Sequence, residues 1–76
     1  MAKAAKHPNL VKLGERIRAS RQELSWSQER LAEKTEIDRS YIGGVERGER
    51  NVSFTTLCKI ADALGTNVSR LTKRIP

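Results

Sequence analysis

An arginine and a serine, Arg39 and Ser40, stand at the start of a segment that is predicted to be helical, directly after Asp38, a residue type that favours the helix N-cap. When such a helix lies in the major groove of a duplex, side chains of its first turn reach the base edges. A guanidinium donates two hydrogen bonds to O6 and N7 of guanine, which gives roughly 1–3 kcal/mol of discrimination between bases. A serine hydroxyl is permissive. Arg39 is therefore the stronger candidate for reading a base sequence.

The rest of the inventory does not support catalysis. The chain has one histidine, His7, and one cysteine, Cys58, with no nucleophile–base pattern and no Gly-rich phosphate loop. A single cysteine excludes an internal disulfide and a zinc site built on paired thiolates. We therefore expect no enzymatic activity, no metal, no cofactor and no small-molecule ligand, and we expect Cys58 to be a small buried hydrophobic residue.

The charge of the chain indicates a polyanionic partner. Fifteen Lys and Arg against nine Asp and Glu give a net charge of +6 over 76 residues. Residues 1–24 carry +4, residues 25–48 carry −1 and residues 49–76 carry +3, so positive charge flanks the segment around Arg39, where it can follow phosphates on either side of a groove. Aromatic residues make up only 4% of the chain, too few for base stacking. The charge distribution and the scarcity of aromatic residues therefore favour double-stranded DNA as the partner of this chain.

The length allows one hydrophobic core. We expect residues 9–76 to form a single domain and residues 1–8 to form a flexible basic arm. No apolar run approaches the roughly 18 residues of a membrane span, and the N-terminus lacks the hydrophobic stretch of a signal peptide. The expected protein is cytoplasmic and has no membrane partner.

Apolar residues recur at helical spacing, and no sustained alternation predicts a strand. The sequence therefore predicts an all-α domain. Capping residues mark where helices begin, and glycines or breaks in the pattern mark where they end. The predicted caps are Ser27, Asp38, Ser53 and Asn67. The five predicted helices run from about Leu10 to Leu24, from Gln28 to Thr35, from Arg39 to about Arg47, from Phe54 to Leu64 and from Val68 to about Lys73.

Only Glu36 to Asp38 join the second and third predicted helices, which favours a helix-turn-helix with steeply crossing helices. The wedge between these helices would be filled by Leu31, Ala32, Ile37, Ile42 and Val45.

Over about Leu10 to Leu71 the sequence resembles the Cro/CI-type, or XRE, helix-turn-helix family. The resemblance is carried by SQERLAEKT at residues 27–35, by Ile37 and by IGGVERG at residues 42–48. Residues 38–42 and 46–51 are further similar to the controller proteins of restriction–modification operons. The resemblance implies a compact five-helix lambda-repressor-like domain whose third helix reads DNA.

The expected base-reading residues lie on that third helix. Tyr41 could touch a thymine methyl or a phosphate, or could instead be a half-buried aromatic under the helix. The family usually presents side chains to DNA where this chain has Gly43 and Gly44, so these glycines favour either close backbone approach to DNA or a shallow site. The base-reading set is Arg39, Ser40, Tyr41, Gly43 and Gly44.

Phosphate contacts are expected at the start of the second helix and in the segment after the third. Ser27 more plausibly serves as a cap, and the resemblance implies that Arg21 pairs with Glu46 between the first and third helices, with phosphate contact as a secondary role. The phosphate-binding set is Gln28, Ser27, Arg21, Arg47, Arg50, Asn51, Ser53 and Thr55.

The sequence departs from the family pattern at Glu36, where a turn glycine is favoured. We expect a glutamate there either to bear a strain of about 1 kcal/mol or to change the shape of the turn slightly.

One recognition helix covers too few base pairs to find a genomic site, so we expect a homodimer that reads two half-sites about 34 Å apart. The expected interface consists of Phe54, Leu64, Val68, Leu71 and Ile75, although Val68 and Leu71 could instead close the monomer core.

The expected function is regulation of transcription at palindromic operators, by blocking RNA polymerase or by touching it, and most specifically control of a restriction–modification operon. The alternatives are a phage or plasmid repressor of the same family, an antitoxin-like protein-binding module, and a general basic nucleic-acid binder whose affinity does not depend on sequence.

Overall fold

Five α-helices and no strand occur within residues 7–76, the part of the chain that the computed structural model describes. The all-α prediction is confirmed for these residues, and none of their helices combines the length and apolar character needed to cross a membrane. The helices are α1 (Pro8–Glu23), α2 (Gln28–Thr35), α3 (Arg39–Glu46), α4 (Phe54–Ala63) and α5 (Val68–Thr72).

The first helix begins earlier than its apolar periodicity indicated. It starts at Pro8, because the ring Nδ1 of His7 accepts a hydrogen bond from the backbone N–H of Asn9 at 3.1 Å and caps the helix. His7 had no role in the sequence-based interpretation. Of the predicted arm, residues 1–6 lie outside the described residues.

Local capping signals determine where the other helices begin. Ser27, Ser53 and Asn67 accept a hydrogen bond from the backbone N–H three residues on, at 3.0, 3.2 and 2.8 Å. Each bond satisfies a donor of the first turn and stabilises the helix by about 1 kcal/mol. Asp38 is the N-cap of α3 without such a bond, and its carboxylate accepts a hydrogen bond from the hydroxyl of Ser40 instead.

The apolar faces of the helices meet in one core. Helix α3 packs against α1 and α2, α2 also packs against α4, and α5 packs against α1 and α4. Cys58 is only partly buried, so it lies at the edge of the core and not within it as expected. The predicted wedge is confirmed, since Ile37 packs against the core partly buried and the other members are buried, namely Leu31, Ala32, Ile42 and Val45.

Helices α1 and α3 approach each other backbone to backbone at Gly14. A Cβ atom there would lie 2.4 Å from the carbonyl oxygen of Val45 and 2.5 Å from that of Glu46, closer than any carbon–oxygen contact that packing tolerates. The missing side chain therefore allows the last turn of α3 to lie directly on α1. This contact fixes the position of the helix that carries Arg39 and Ser40.

A buried ion pair joins the same two helices. The guanidinium of Arg21 donates from Nε and Nη2 to the two carboxylate oxygens of Glu46, at 2.7 and 2.9 Å, and from Nη1 to the carbonyl oxygen of Trp26 at 2.7 Å. The two side chains are 10% and 2% exposed. The hydrogen bond to Glu46 raises the pKa of Arg21 above its ordinary value, against the lowering effect of burial. The pair implied by the family resemblance is therefore present.

The turn between α2 and α3 contains a left-handed residue. Glu36 has φ 57° and ψ 30°, and the backbone N–H of Ile37 donates to the carbonyl oxygen of Ala32 at 3.1 Å. The turn thus has the shape that glycine favours, and the altered shape considered for a glutamate is wrong. The strain of about 1 kcal/mol that a side chain brings to this conformation is the other expectation, and it stays a prediction.

We expect Glu36→Gly to raise the free energy of unfolding by about 1 kcal/mol, because glycine adopts the left-handed conformation without a Cβ clash. Urea denaturation followed by circular dichroism measures this change. The control is Glu33→Gly, which places glycine inside α2 at an exposed position and should lower the stability by about 1 kcal/mol. A loss of stability in Glu36→Gly would contradict the strain argument.

We expect Glu46→Gln to lower the free energy of unfolding by about 3 kcal/mol, because the amide leaves the charge of Arg21 buried without its counter-charge. The matched control is Glu33→Gln, which breaks an exposed ion pair with Arg30 of 2.6 Å and should change stability by less than about 1 kcal/mol. Both values come from the same urea titrations. Equal effects of the two substitutions on the free energy of unfolding would show that the buried pair stabilises the fold no more than the exposed pair does.

Candidate nucleic-acid interface

Arg39 lies in the first turn of α3 with its side chain exposed. Its Nη1 donates to Oε1 of Gln28 at 3.1 Å, and its Nε lies 3.9 Å from Oε2 of Glu29. Both partners belong to the first turn of α2, so Arg39 connects the starts of the two helices of the helix-turn-helix. The sequence did not predict Glu29 as a partner of Arg39, because no local signal links side chains on two different helices.

Gln28 connects Arg39 to the buried ion pair. Its Nε2 donates to Oε1 of Glu46 at 3.1 Å, while its Oε1 accepts from Arg39. Because a carboxylate only accepts and a guanidinium only donates, one orientation of the amide satisfies both partners. A hydrogen-bonded chain therefore runs from Arg21 in the core to Arg39 at the surface, and the amide predicted to bind phosphate is engaged by protein groups.

Ser40 and Tyr41 complete the outer part of the first turn. Ser40 is exposed and its hydroxyl donates to Asp38, which leaves the oxygen available as an acceptor. Tyr41 is partly buried against the core, and its ring faces Arg50, whose guanidinium carbon lies 5.5 Å from the ring centre. The half-buried placement agrees with the packing alternative for Tyr41, and its contact with DNA stays a prediction.

Gly43 and Gly44 are buried beneath arginine side chains that come from the segment after α3. A Cβ atom at Gly43 would lie 3.0 Å from Nη1 of Arg47, and one at Gly44 would lie 2.9 Å from Cγ of Arg50. These two positions therefore do not present open backbone, and the close backbone approach to DNA expected for them would require both arginines to move.

The segment between α3 and α4, together with the first turn of α4, supplies five of the eight predicted phosphate-binding residues. Arg47 pairs with Glu49 through an Nε to Oε1 contact of 3.1 Å. The hydroxyl of Ser53 caps α4, as that of Ser27 caps α2, so both oxygens already have protein partners. The exposed members of the set in this stretch are Arg47, Arg50, Asn51, Ser53 and Thr55.

Arg21 does not belong to this surface. It is buried, and all three guanidinium nitrogens donate to Glu46 or to the carbonyl of Trp26. The structural role expected for Arg21 is confirmed, whereas its inclusion among the phosphate-binding residues conflicts with its burial. Because its guanidinium is engaged in these hydrogen bonds, Arg21 is not available to contact a phosphate at the surface.

The residues expected at a dimer interface differ in exposure. Leu64 and Leu71 are buried and close the core of the monomer, and Val68 and Ile75 are partly buried against the same core. Phe54, in contrast, is 69% exposed at the start of α4. Of the predicted set, Phe54 thus offers the largest open apolar surface.

Comparison with known proteins agrees with this arrangement. The sequence model of the helix-turn-helix family matches residues 17–71, which include both helices of the motif. The chain is 48% identical over 62 residues to the control protein C.SmaI of Serratia marcescens, an alignment that covers 82% of this chain and 74% of that protein.

Solved structures show the same fold. The restriction–modification controller protein C.AhdI from Aeromonas hydrophila superposes with a TM-score of 0.83 and 48% identity, covering 86% of this chain and 98% of the other. The controller protein C.Esp1396I, crystallised as a tetramer in complex with its natural 35-base-pair operator, superposes with a TM-score of 0.81 and 31% identity over 92% of each chain. The chain therefore belongs to the XRE-type helix-turn-helix family, as its motifs predicted.

Proposed function

We propose that this chain is a sequence-specific transcriptional regulator that binds palindromic operator DNA as a dimer and controls a restriction–modification operon. The observation that carries the proposal is the placement of Arg39, exposed at the start of α3 and held by Gln28 and Glu29. A side chain that is held before binding loses less conformational freedom on binding. A planar, held guanidinium is suited to the paired acceptors of guanine.

The similar proteins support the choice of operator DNA as the partner. C.SmaI is named a control protein, C.AhdI is a restriction–modification controller, and C.Esp1396I was crystallised on its natural operator. The family model that matches the present chain includes both helices of its helix-turn-helix. We therefore propose operator DNA as the target of this chain as well.

Contacts to the DNA backbone would orient α3 in the groove. The N-terminus of α2 attracts a phosphate through its backbone N–H groups and its dipole. Arg47 would exchange Glu49 for a phosphate, and Arg50, Asn51 and Thr55 extend the basic and polar stretch toward α4. Gln28 reaches a phosphate only by giving up one of its two protein partners, so its first role in the proposal is to hold Arg39.

Dimerisation would place two recognition helices on half-sites one helical turn, about 34 Å, apart. Phe54 is the proposed centre of the interface because it is the most exposed large hydrophobic residue within residues 7–76. Val68 and Ile75 would contribute at its margin, and the buried Leu64 and Leu71 would support it from beneath.

Because α1 begins at Pro8 with His7 as its cap, residues 7–76 would act as a single DNA-binding domain, in the cytoplasm and without catalysis or a cofactor, and the proposed basic arm would be limited to residues 1–6. A bound dimer would repress by blocking RNA polymerase or activate by touching it. The positive charge on both sides of the nearly neutral residues 25–48 supports a DNA target.

We expect Arg39→Ala to abolish the preference for one base pair in each half-site, a loss of roughly 1–3 kcal/mol of discrimination. Duplexes are selected by the wild-type protein from a randomised library, and affinities for all single-base-pair variants are measured by fluorescence anisotropy. Arg70→Ala, which removes the same charge from an exposed position on α5, should leave every preference unchanged. Failure to enrich an inverted repeat would contradict the proposed function, whereas a uniform loss of affinity in Arg39→Ala would make Arg39 a phosphate contact.

We expect Phe54→Ala to weaken dimerisation by roughly 10-fold or more, because each protomer would no longer bury an aromatic side chain at the interface. Sedimentation equilibrium measures the dimer dissociation constant. Leu24→Ala is the control, since Leu24 is a large apolar residue that is 42% exposed at the end of α1 and lies outside the proposed interface. An equal effect of the two substitutions, or none from Phe54→Ala, would place the interface elsewhere.

A further inference from the structure

Phe54 exposes an aromatic ring at the start of α4. It is the first residue of this helix and is 69% exposed. In an α-helix the Cα–Cβ bond tilts toward the N-terminus, so the side chain of Phe54 points toward the start of α4 and away from the turns that follow. Because α4 begins at Phe54, the helix has no earlier turn on which the ring could lie.

A groove opens one to two turns further along α4. It has a volume of about 200 Å³ and lies between α4 and the start of α5. Six residues line it, the first three apolar and the others polar: Cys58, Ala61, Val68, Asp62, Thr66 and Asn67. Phe54, Cys58 and Ala61 follow one another at i, i+4 and i+7, so the exposed ring and the groove lie on one face of the helix.

An exposed ring beside an apolar groove favours a second copy of the chain as the occupant. In a two-fold dimer the same patch of both protomers meets, so that each residue contacts the partner of its partner. Phe54 points away from the groove of its own protomer, but a two-fold rotation can bring its ring over the groove of the other. One symmetry operation then covers both rings and both grooves, and the contact closes without adding a third copy.

The charge at the groove agrees with this occupant. Asp62 places a carboxylate in the lining of the groove, and the first turn of α4 contains no acidic residue. When Phe54 enters the groove of the other protomer, the N-terminus of its helix approaches that carboxylate. Negative charge beside a helix N-terminus is stabilising. The groove therefore complements the start of α4 in charge as well as in polarity.

The same contact locates the two-fold axis. When a two-fold rotation places a ring on the groove of the partner, the midpoint between the ring and the groove of one protomer lies close to the axis. Cys58 is the lining residue nearest to Phe54 along the helix, about 6 Å away. Cys58 thus lies between the ring and the rest of the groove, near the axis and near its own symmetry mate.

We infer that the dimer forms by mutual insertion, in which the Phe54 ring of each protomer occupies the groove between α4 and α5 of the other, with the two Cys58 thiols near the axis. The inference rests on the proposed function, which requires a dimer, and deepens it by stating what covers Phe54. Direct stacking of the two Phe54 rings would instead leave both grooves open.

A cross-linking experiment on the unmodified protein tests the position of the axis, because Cys58 is the only cysteine of the chain. A short bismaleimide bridges two thiols only when they lie close together. We expect it to join the wild-type protomers covalently at concentrations where sedimentation equilibrium shows a dimer. The control is the double variant Cys58→Ala, Lys34→Cys, which moves the thiol to an exposed position on α2 and should give no covalent dimer. A wild-type dimer that the reagent does not join would overturn the inference.

Two variants test the insertion itself. Phe54→Ala removes the ring and leaves the groove open, whereas Cys58→Phe fills the groove and keeps Phe54. We expect each variant alone to dimerise roughly 10-fold more weakly than the wild type, because an apolar contact is lost at both junctions. In an equimolar mixture, Phe54 of the second variant enters the open groove of the first. We expect this heterodimer to regain an affinity within about 3-fold of the wild-type dimer.

Lys59→Phe is the matched control for the added ring, because Lys59 is exposed on α4 and does not line the groove. It should leave dimerisation unchanged, and circular dichroism checks that every variant is folded. A mixture that associates no more strongly than the separate variants would overturn the inference in favour of stacked Phe54 rings. A wild-type protein that stays monomeric and enriches no inverted repeat would instead contradict the proposed function.

Discussion

The bidentate ion pair between Arg21 and Glu46 is the interaction on which the arrangement of the helix-turn-helix depends. Removing both charges from water is costly, and the pair is tolerated because each guanidinium nitrogen finds an acceptor, two on Glu46 and one on the carbonyl of Trp26. The pair joins α1, the turn after it and the end of α3 at one point. Gly14 brings the same helices into backbone contact nearby. A hydrogen-bonded contact and a steric one therefore hold the recognition helix to α1.

The same carboxylate extends this constraint to the surface. Glu46 accepts a third hydrogen bond, from Gln28, whose amide oxygen then accepts from Arg39. Because each partner along this path accepts or donates in only one sense, the orientation of the Gln28 amide follows from the chemistry of its neighbours. Arg39, the residue proposed to read a base, is thus connected through Gln28 and Glu46 to the buried guanidinium of Arg21. An exposed arginine without such a connection would sample many rotamers.

Helix α3 itself contributes few polar side chains beyond its first turn, and the structure shows where the missing surface comes from. Two arginines that follow α3 in the chain pack against the glycines of the helix, Arg47 against Gly43 and Arg50 against Gly44. A glycine in a helix interior weakens the helix, yet this helix is short and buried against α1 and α2, so tertiary packing stabilises it. The outward-facing surface of α3 is therefore built in part by the segment that follows the helix.

The sequence by itself determined the helices and the family, because capping, apolar periodicity and turn length act between residues that are close in the chain. Ser27, Ser53 and Asn67 begin helices where their types predict, and the wedge around Ala32 follows from the same local pattern. The Arg21–Glu46 pair needed the family resemblance in addition, since nothing local links residues on different helices. Only the tertiary structure decided which side chains are buried, such as Arg21 and Leu71. It also decided which side chains meet across helices: Gln28 bonds to both Glu46 and Arg39. The side chain of Arg50 lies against Gly44. Each of these outcomes depends on which helices pack together and how closely, and that packing is set by the whole core at once.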